Sequence, residues 1–446
     1  MFARHTRPLA ALTVAVAFGA GAAAPAQAAT DPLLSEQWAL TDPAATGAKD
    51  AWTQSRGDGV LVAILDSGVQ LNHPDLAQNL WHNPNEVAGN GIDDDHNGYV
   101  DDVYGANIMT GNGNVDDDEG HGTHVAGIVA AQGGNSTGGS GIAPGAKIMA
   151  VKVLNANRVG DSSLLARGIR YAVDEGARIL NVSLNGDGTS PDLDDALRYA
   201  NDHGATIVAS AGNNSRNIDS QPSYPASSQV PAVLTVTATE RSGALLGVAN
   251  RGPRSVDIAA PGATILSCAR GSGYELRQGT SMAAPFVAGS LALLAAARPD
   301  LPQSALRDAL AQSAARTSPL AGQVASGALN VSAALHRVLP GTMWRSAPAA
   351  ASTVPSSTRL RVLTNARVRT GSTATVRWSA SGAQRVTRWR VLLDGRRVGT
   401  VPAGKRSLLR KRVSRAGSHR WKVVGVDAAG ASVVTGARGF RVLHKR

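Results

Sequence analysis

Val60-Leu61-Val62-Ala63-Ile64-Leu65-Asp66 is six apolar residues in a row ending in an acid, with Gly59 before it and Gly68 just after. A strand with one wet face would alternate polar and apolar residues. An unbroken run of this length between glycines reads as a strand buried on both faces. Such strands belong to parallel sheets covered by helices on either side. The flanking sequence agrees. Lys147–Leu154 is a second run of this type. Asp161 then caps a helix that carries Leu164, Leu165, Ile169 and Val173 on one face and stops at Gly176. Strand "RILNVSL", helix "SPDLDDALRYANDHG" and strands "TIVAS" and "VLTVTA" follow. The expected fold class is α/β, a three-layer domain with a mostly parallel sheet. Its chemistry should sit at the carboxyl ends of the strands, where Asp66 and Asn213 fall.

The first 28 residues read as a secretory signal. Arg4, His5 and Arg7 precede an apolar run from Leu9 to Ala24, and Ala26-Gln27-Ala28 supplies a small-x-small cleavage site. A secreted mature chain without a transmembrane anchor is expected, since no other stretch reads as a span. The single cysteine, Cys268, cannot form an internal disulfide, and its apolar setting "ATILSCA" predicts a buried, inert thiol. The net charge of +11 hides a division. From 341 to 446 there are 23 Lys and Arg against Asp394 and Asp427, a net of +21, whereas 29–340 carries a net of −12. Residues 341–358, rich in Pro, Ala, Ser and Thr, read as a linker. Residues 359–446 alternate apolar with basic residues, and Asp394-Gly395 reads as a hairpin turn. About seven short strands would make a small all-β sandwich of immunoglobulin-like type, with Trp378, Trp389 and Trp421 in its core. The domains expected are thus 1–28, 29–340, the linker 341–358, and 359–446.

Three local patterns carry chemistry: "LDSG" around Asp66, "HGTHVAGIVA" from His121, and "GTSMAAPFVAG" around Ser281. A strand-end Asp is ordinarily a turn former, and a Ser before a helix is ordinarily an N-cap. Together they supply the nucleophile, base and orienting carboxylate of acyl transfer. Ser281 at a helix start would lie near unpaired backbone N–H groups able to hold an oxyanion. Ala283 replaces the last Gly of Gly-x-Ser-x-Gly, which argues against an α/β-hydrolase elbow. His124, three residues beyond His121, lacks the Glu of a zinc-binding helix and reads as structural.

The order Asp–His–Ser with "HGTHVAG" and "GTSMAAP" resembles the subtilisin-like serine peptidases, or subtilases, over roughly Asp31 to Pro340. The resemblance implies a serine endopeptidase acting on protein or peptide substrates, and the N-terminal signal pattern makes it a secreted one. Asp66 would stabilise the imidazolium, His121 would be general base and then acid, and Ser281 would attack the carbonyl. In "ASAGNN", Asn213 matches the family's oxyanion-hole asparagine, and Gly212 would border the bound substrate. Ser183, Leu184 and Asn185 in "NVSLNG" match the segment that pairs with the substrate main chain. Asn185 stands where the family more often has Gly. Near the primary pocket, neither Asn214 nor Ser223 is acidic, so a broad or apolar preference is expected over Lys or Arg. Family members usually carry a long propeptide, whereas here "TDPLLSEQWAL" follows Ala28 almost at once.

The acidic stretch "NGIDDDHNGYVDD" (90–102) lies between the Asp66 and His121 motifs. Asp93-x-Asp95-x-Asn97-Gly98 fits the first half of an EF-hand-type calcium loop, but position twelve is Tyr104, so Asp101 or Asp102 would have to complete the shell. A second calcium site follows from the resemblance, with Asp31, Asp75 and Asn135 at ligand positions. Asn107 with Asp116–Asp118 is a further candidate. The cofactor expected is structural calcium. The basic tail could hold an anionic cell-surface polymer, and no specific nucleic acid is expected. The rival function is a catalytically silent adhesion or scaffold protein with a polyanion-binding module.

Overall fold

The computed structural model describes residues 31–339 and, beyond 358, the strands of a second unit. The signal segment, the linker and the Asp394-Gly395 turn lie outside the described residues. The chain divides into two compact units between Met343 and Trp344.

The first unit opens with two short helices, α1 (Trp38–Thr41) and α2 (Ala48–Ala51), ahead of strand β1 (Leu61–Asp66). Helix α3 (His121–Ala130) comes next, then β2 (Lys147–Lys152), α4 (Ser162–Asp174) and β3 (Ile179–Val182). They are followed by α5 (Pro191–Asp202), β4 (Thr206–Ser210), β5 (Val233–Thr239) and β6 (Ile258–Pro261). A hairpin of β7 (Ile265–Ala269) and β8 (Gly273–Arg277) leads into α6 (Thr280–Ala297). The unit ends with α7 (Gln303–Ser313), β9 (Gly327–Ala328) and α8 (Val331–Val338).

The seven-stranded sheet runs β2-β1-β3-β4-β5-β6-β9, and every pairing in it is parallel. The two-residue period of a strand sorts β1 between two cores. Val62 and Ile64 join α3 and α6 on one face, while Ala63 and Leu65 join α4 and α5 on the other. Both faces are therefore dry, which is why β1 needs no polar residue before Asp66. Strand β2 stops at Lys152 rather than Leu154. Val153 and Leu154 both donate their N–H to the Asp66 carbonyl, so the chain wraps around the end of β1. Asp161 caps α4 as expected, accepting from Ser163 N and Leu164 N.

Helix α6 corrects one expectation. It is long and apolar enough to cross a membrane, yet Thr280 to Leu294 are all buried in the core. A helix apolar on every side suits either setting. Cys268, on β7, is fully buried against α3, and burial pushes its thiol well above the usual range.

The second unit has eight described strands. They are β10 (Arg359–Thr364), β11 (Arg367–Arg369), β12 (Thr373–Ser381) and β13 (Arg388–Leu393), then β14 (Arg396–Pro402), β15 (Leu408–Arg412), β16 (Gly417–Val426) and β17 (Ser432–Leu443). They form a three-stranded sheet, β10-β12-β15, and a five-stranded one, β11-β17-β16-β13-β14. Trp389, Trp421, Val423 and Phe440 are buried, and the Trp421 and Phe440 rings stack at 5.9 Å.

Candidate active site

Asp66 ends β1, Ser183 lies one residue past β3 and Asn213 three past β4, so the sheet delivers all three to one carboxyl edge. Helices α3 and α6 enter that edge by their N-termini, carrying His121 and Ser281. His121 Nδ1 lies 2.8 and 2.9 Å from the two Asp66 oxygens. Asp66 is fully buried, and its Oδ1 also accepts from Ser67 N at 2.8 Å. A carboxylate held this way fixes the imidazole ring and leaves Nε2 facing outward.

The approach of β1 to α3 rests on Gly122. A side chain there would collide with the Gly68 carbonyl, so the "HGTH" glycine permits the contact that joins His121 to Asp66. Asp117 anchors the same turn. Its carboxylate accepts from Glu119, Gly120 and Thr123 N–H and from the Thr123 and Ser67 hydroxyls. Burial acts to raise the Asp117 carboxyl, but the Thr123 hydroxyl and these N–H donors prevail and hold it below the usual range. On the other side, buried Lys152 donates to the Ser67 carbonyl and pairs with Asp118 at 2.7 Å. Asp116 accepts from Leu71 N, and Asn107 bonds the Asn114 carbonyl. The Asn107/Asp116–Asp118 candidate for metal is thus committed to holding the loop before α3.

Ser281 and Ser183 bond each other in both directions. Ser281 Oγ donates to the Ser183 carbonyl at 3.1 Å, and Ser183 Oγ donates to the Ser281 carbonyl at 3.0 Å. The second bond has a cause in α6. Pro285 stands four residues after Ser281 and has no N–H to return, so the Ser281 carbonyl is left for Ser183. Asn213 Oδ1 accepts from the Thr280 N–H and hydroxyl at 2.9 and 3.2 Å. With the carbonyl side of that amide so engaged, its NH₂ is turned the other way. His121, Asn213 and Ser281 all line one open cleft of ≈ 370 Å³, together with Arg158 and Arg277. A second cleft of ≈ 480 Å³ adjoins it, lined by Ser183, Leu184, Asn185, Asn213 and Ser281 among others. Gly212 stands beside Asn213 and donates to Thr280 Oγ1.

Thr280 lies inside the Ser281 motif but carries no role of its own there, and Asn250 lies in no motif. Asn250 is fully buried and accepts from Asn214 and Arg216 N–H while donating to the Ala211 carbonyl. It therefore shapes the turn on which Asn213 sits. His124 is buried, its Nε2 bonded to the Glu275 carbonyl at 3.1 Å.

Two oxygen-rich clusters could hold a cation. In the first, Asp31 accepts from Gly134 and Asn135 N–H, and Asn135 Nδ2 donates to Asp75 Oδ1 at 2.8 Å. Asp75 Oδ2 accepts from Gly139 N and the Tyr274 hydroxyl. Both acids are buried, and among the described residues neither is paired with Lys or Arg. Two uncompensated carboxylates against a tight loop are the donor set of a hard cation such as calcium.

The second cluster differs from the EF-hand reading. Glu86, Asp95 and Asp102 bring carboxylate oxygens within 4.8 Å of one another. Asp93 is spent on its own loop, accepting from Asn97 and Gly98 N–H. Asn97 turns its NH₂, not its oxygen, toward Asp95, Asp102 and Glu175, and its Oδ1 accepts from Tyr99 N. Asp101 ties down the N–H groups of Gly89, Asn90 and Gly91. The carboxyls of Glu86 and Glu175 are pushed up, first by burial and further by the neighbouring Asp95 and Asp102. Glu86 Oε2 has no hydrogen-bond partner. Glu86 precedes the acidic stretch and Glu175 ends a helix far along the chain, so loop spacing offered no signal for either.

Residues 57–338 match the Subtilase family model, and the chain belongs to that family. It is 37% identical to thermitase of Thermoactinomyces vulgaris over 248 residues, which cover 56% of this chain and 79% of thermitase. It is 32% identical to subtilisin-like protease 1 of Plasmodium berghei over 65% of this chain and 52% of that protein. An extracellular protease of Xanthomonas campestris is 33% identical over 70% of this chain and 57% of its own length. The chain thus spans little more than half of these last two relatives. Among solved structures, a protease of Pseudoalteromonas arctica superimposes with a TM-score of 0.59 at 28% identity, covering 70% of this chain and all of that one.

Proposed function

We propose that this chain is a secreted serine endopeptidase that cleaves peptide bonds through an acyl-enzyme on Ser281. The observation that carries the reading is His121 bound by both oxygens of a buried Asp66, with Ser281 and Asn213 in the same cleft. In the first step the Ser281 hydroxyl leaves the Ser183 carbonyl and turns to His121 Nε2. Its proton passes to that nitrogen as Oγ attacks the substrate carbonyl carbon. Asp66 stabilises the imidazolium without taking the proton. The oxyanion accepts from the Asn213 NH₂ and the Ser281 N–H. His121 then gives the proton to the leaving amine, and water repeats the sequence to release the acid.

The substrate would lie against Ser183, Leu184 and Asn185 in extended form, with Gly212 and Asn213 opposite. Calcium would be held by Asp31 and Asp75, with Asn135 giving its NH₂ to Asp75 and its Oδ1 to Thr137 N, and by Asp95 and Asp102 with Glu86 rather than Asp93 and Asn97. Its part would be to neutralise these carboxylates and tie distant segments together. Secretion is supported by the Arg4–Ala28 pattern and by extracellular relatives. The basic residues beyond 341 would attach the enzyme to an anionic cell-surface polymer.

Casein hydrolysis by the purified protein and by Ser281→Ala, with and without phenylmethylsulfonyl fluoride, tests the mechanism. The reagent should abolish wild-type activity, and Ser281→Ala should be inactive. Equal activity in the two proteins would end the proposal. Asn213→Ala should lower kcat about 10²–10³-fold, a magnitude that comes from a member of this family rather than from this chain.

A further inference from the structure

Strands β3 and β4 pair in parallel with Val182 opposite Ala209. Past their ends the chain parts into two segments, 183–186 and 211–213, with a slot between them. Ser281 stands at its mouth, bonded to Ser183 on one wall, and Asn213 terminates the other. A carbonyl placed between Ser281 Oγ and the Asn213 amide has its own Cα one bond away. The side chain of that residue, on the amino side of the cleaved bond, must enter the slot.

Asn185 spans this slot. Its Nδ2 donates to Ser223 Oγ at 2.9 Å. A Cβ built on Gly212 would lie 2.9 Å from the same Nδ2 and 3.3 Å from Asn185 Cγ, so the Asn185 amide rests directly on the opposite wall. Asn185 itself is exposed, while Ser223 beneath it is completely buried. Each wall is tied to a neighbouring segment. Gly186 and Tyr224 exchange both backbone hydrogen bonds, at 2.9 and 2.8 Å. Gly212 is held from behind by the Thr280 hydroxyl and packs against Asn250. The adjoining ≈ 480 Å³ cleft is open, and neither Gly212 nor Ser223 lines it.

We propose that Asn185, anchored on Ser223, caps the pocket for the residue preceding the cleaved bond, so that the enzyme cuts after Gly, Ala or Ser and disfavours large side chains there. This rests on the peptidase reading and sharpens the broad or apolar preference expected from the sequence. A large side chain must lift Asn185 away and strand the buried Ser223 hydroxyl, which leaves it about 10–100-fold poorer.

The test compares succinyl-Ala-Ala-Pro-Ala-p-nitroanilide with the Phe analogue, using the full chain. The wild type should favour Ala at least about tenfold in kcat/KM. Asn185→Gly should raise kcat/KM for Phe at least about tenfold relative to Ala. Should that variant not fold, Ser223→Ala removes the anchor and should shift the ratio the same way. Wild-type cleavage after Phe as readily as after Ala, or a ratio unmoved in the folded variants, would overturn the inference while leaving the peptidase intact. Absence of any Ser281-dependent cleavage of these peptides or of casein would overturn both.

Discussion

Ser183 and Ser281 illustrate how a side chain can be held ready without being locked. The Ser281 hydroxyl rests on a backbone carbonyl that asks for only one neutral hydrogen bond, worth about 1 kcal/mol net, so turning it toward His121 costs little. His124, one turn further along α3, shows the opposite case. It is fully buried, its Nδ1 has no partner, and burial first, then the charges of Arg277 and His121, lower it to about 4. The unfolded chain accepts a proton here below about pH 6.5, whereas the folded protein refuses it until about pH 4. Unfolding takes up a proton in that window, so stability is complete above pH 6.5 and is lost as the pH falls toward 4. The gap corresponds to about 3 kcal/mol at most. Melting curves from pH 7 to 4 should therefore fall more steeply for the wild type than for His124→Gln, and equal slopes would show that His124 is not the group responsible. Asp66, His121 and Ser281 were legible because each sits in a short motif whose neighbours announce its place. Asn250 was not, because its partners lie up to 39 residues away in sequence and its own surroundings are ordinary, and nothing in the motif of Thr280 or the acidic run of Asp117 announces bonds to partners up to 68 residues away.

At the scale of elements, α4 and α5 could be read directly, since apolar periodicity and capping residues agree with their burial, and β1 and β4 from their unbroken apolar runs. The β7–β8 hairpin was missed because its burial is irregular, and β8 shows no buried position. The acidic stretch was read by loop spacing, but tertiary structure recruited Glu86 and Glu175 and turned Asp93 inward on its own backbone. The Ser281 motif marks the start of α6, yet the role of Pro285 emerges only when the helix is seen beside β3. A proline within a helix withdraws one N–H, and here the carbonyl released is that of Ser281, which Ser183 then takes. Pro285→Ala restores the N–H and sets it in competition with the Ser183 hydroxyl. The expected result is a Tm unchanged or raised, with kcat lowered about tenfold through loss of one positioning bond of about 1.4 kcal/mol. A fall in Tm with kcat preserved would show that Pro285 serves the helix and not the Ser183–Ser281 bond.

Over the whole molecule the charge is divided, and the acidic first unit gathers its carboxylates instead of scattering them. Asp31 at the start of the unit, Asp75 after β1, Asn135 after α3 and Tyr274 in β8 meet at one point. Burial and Asp75 together push the Tyr274 hydroxyl well above its usual range, so it remains a donor to that acid. Without a cation, two buried carboxylates in contact with the same Asn135 must be supported by neutral hydrogen bonds alone. With calcium, four segments of a chain that has no disulfide are cross-linked in the native state only. A ligand at a hundred times its Kd stabilises the folded form by about 2.7 kcal/mol. In a unit of this size each kcal/mol moves Tm by about 1.5 °C, so excess chelator should lower the wild-type Tm by about 4 °C. Asp75→Asn removes one charge but keeps an acceptor for Tyr274. It should melt near the chelated wild type and respond little to added calcium. An Asp75→Asn protein that still gains the full calcium increment would move the stabilising ion to the Glu86, Asp95 and Asp102 cluster, where Asp102→Asn should then abolish it.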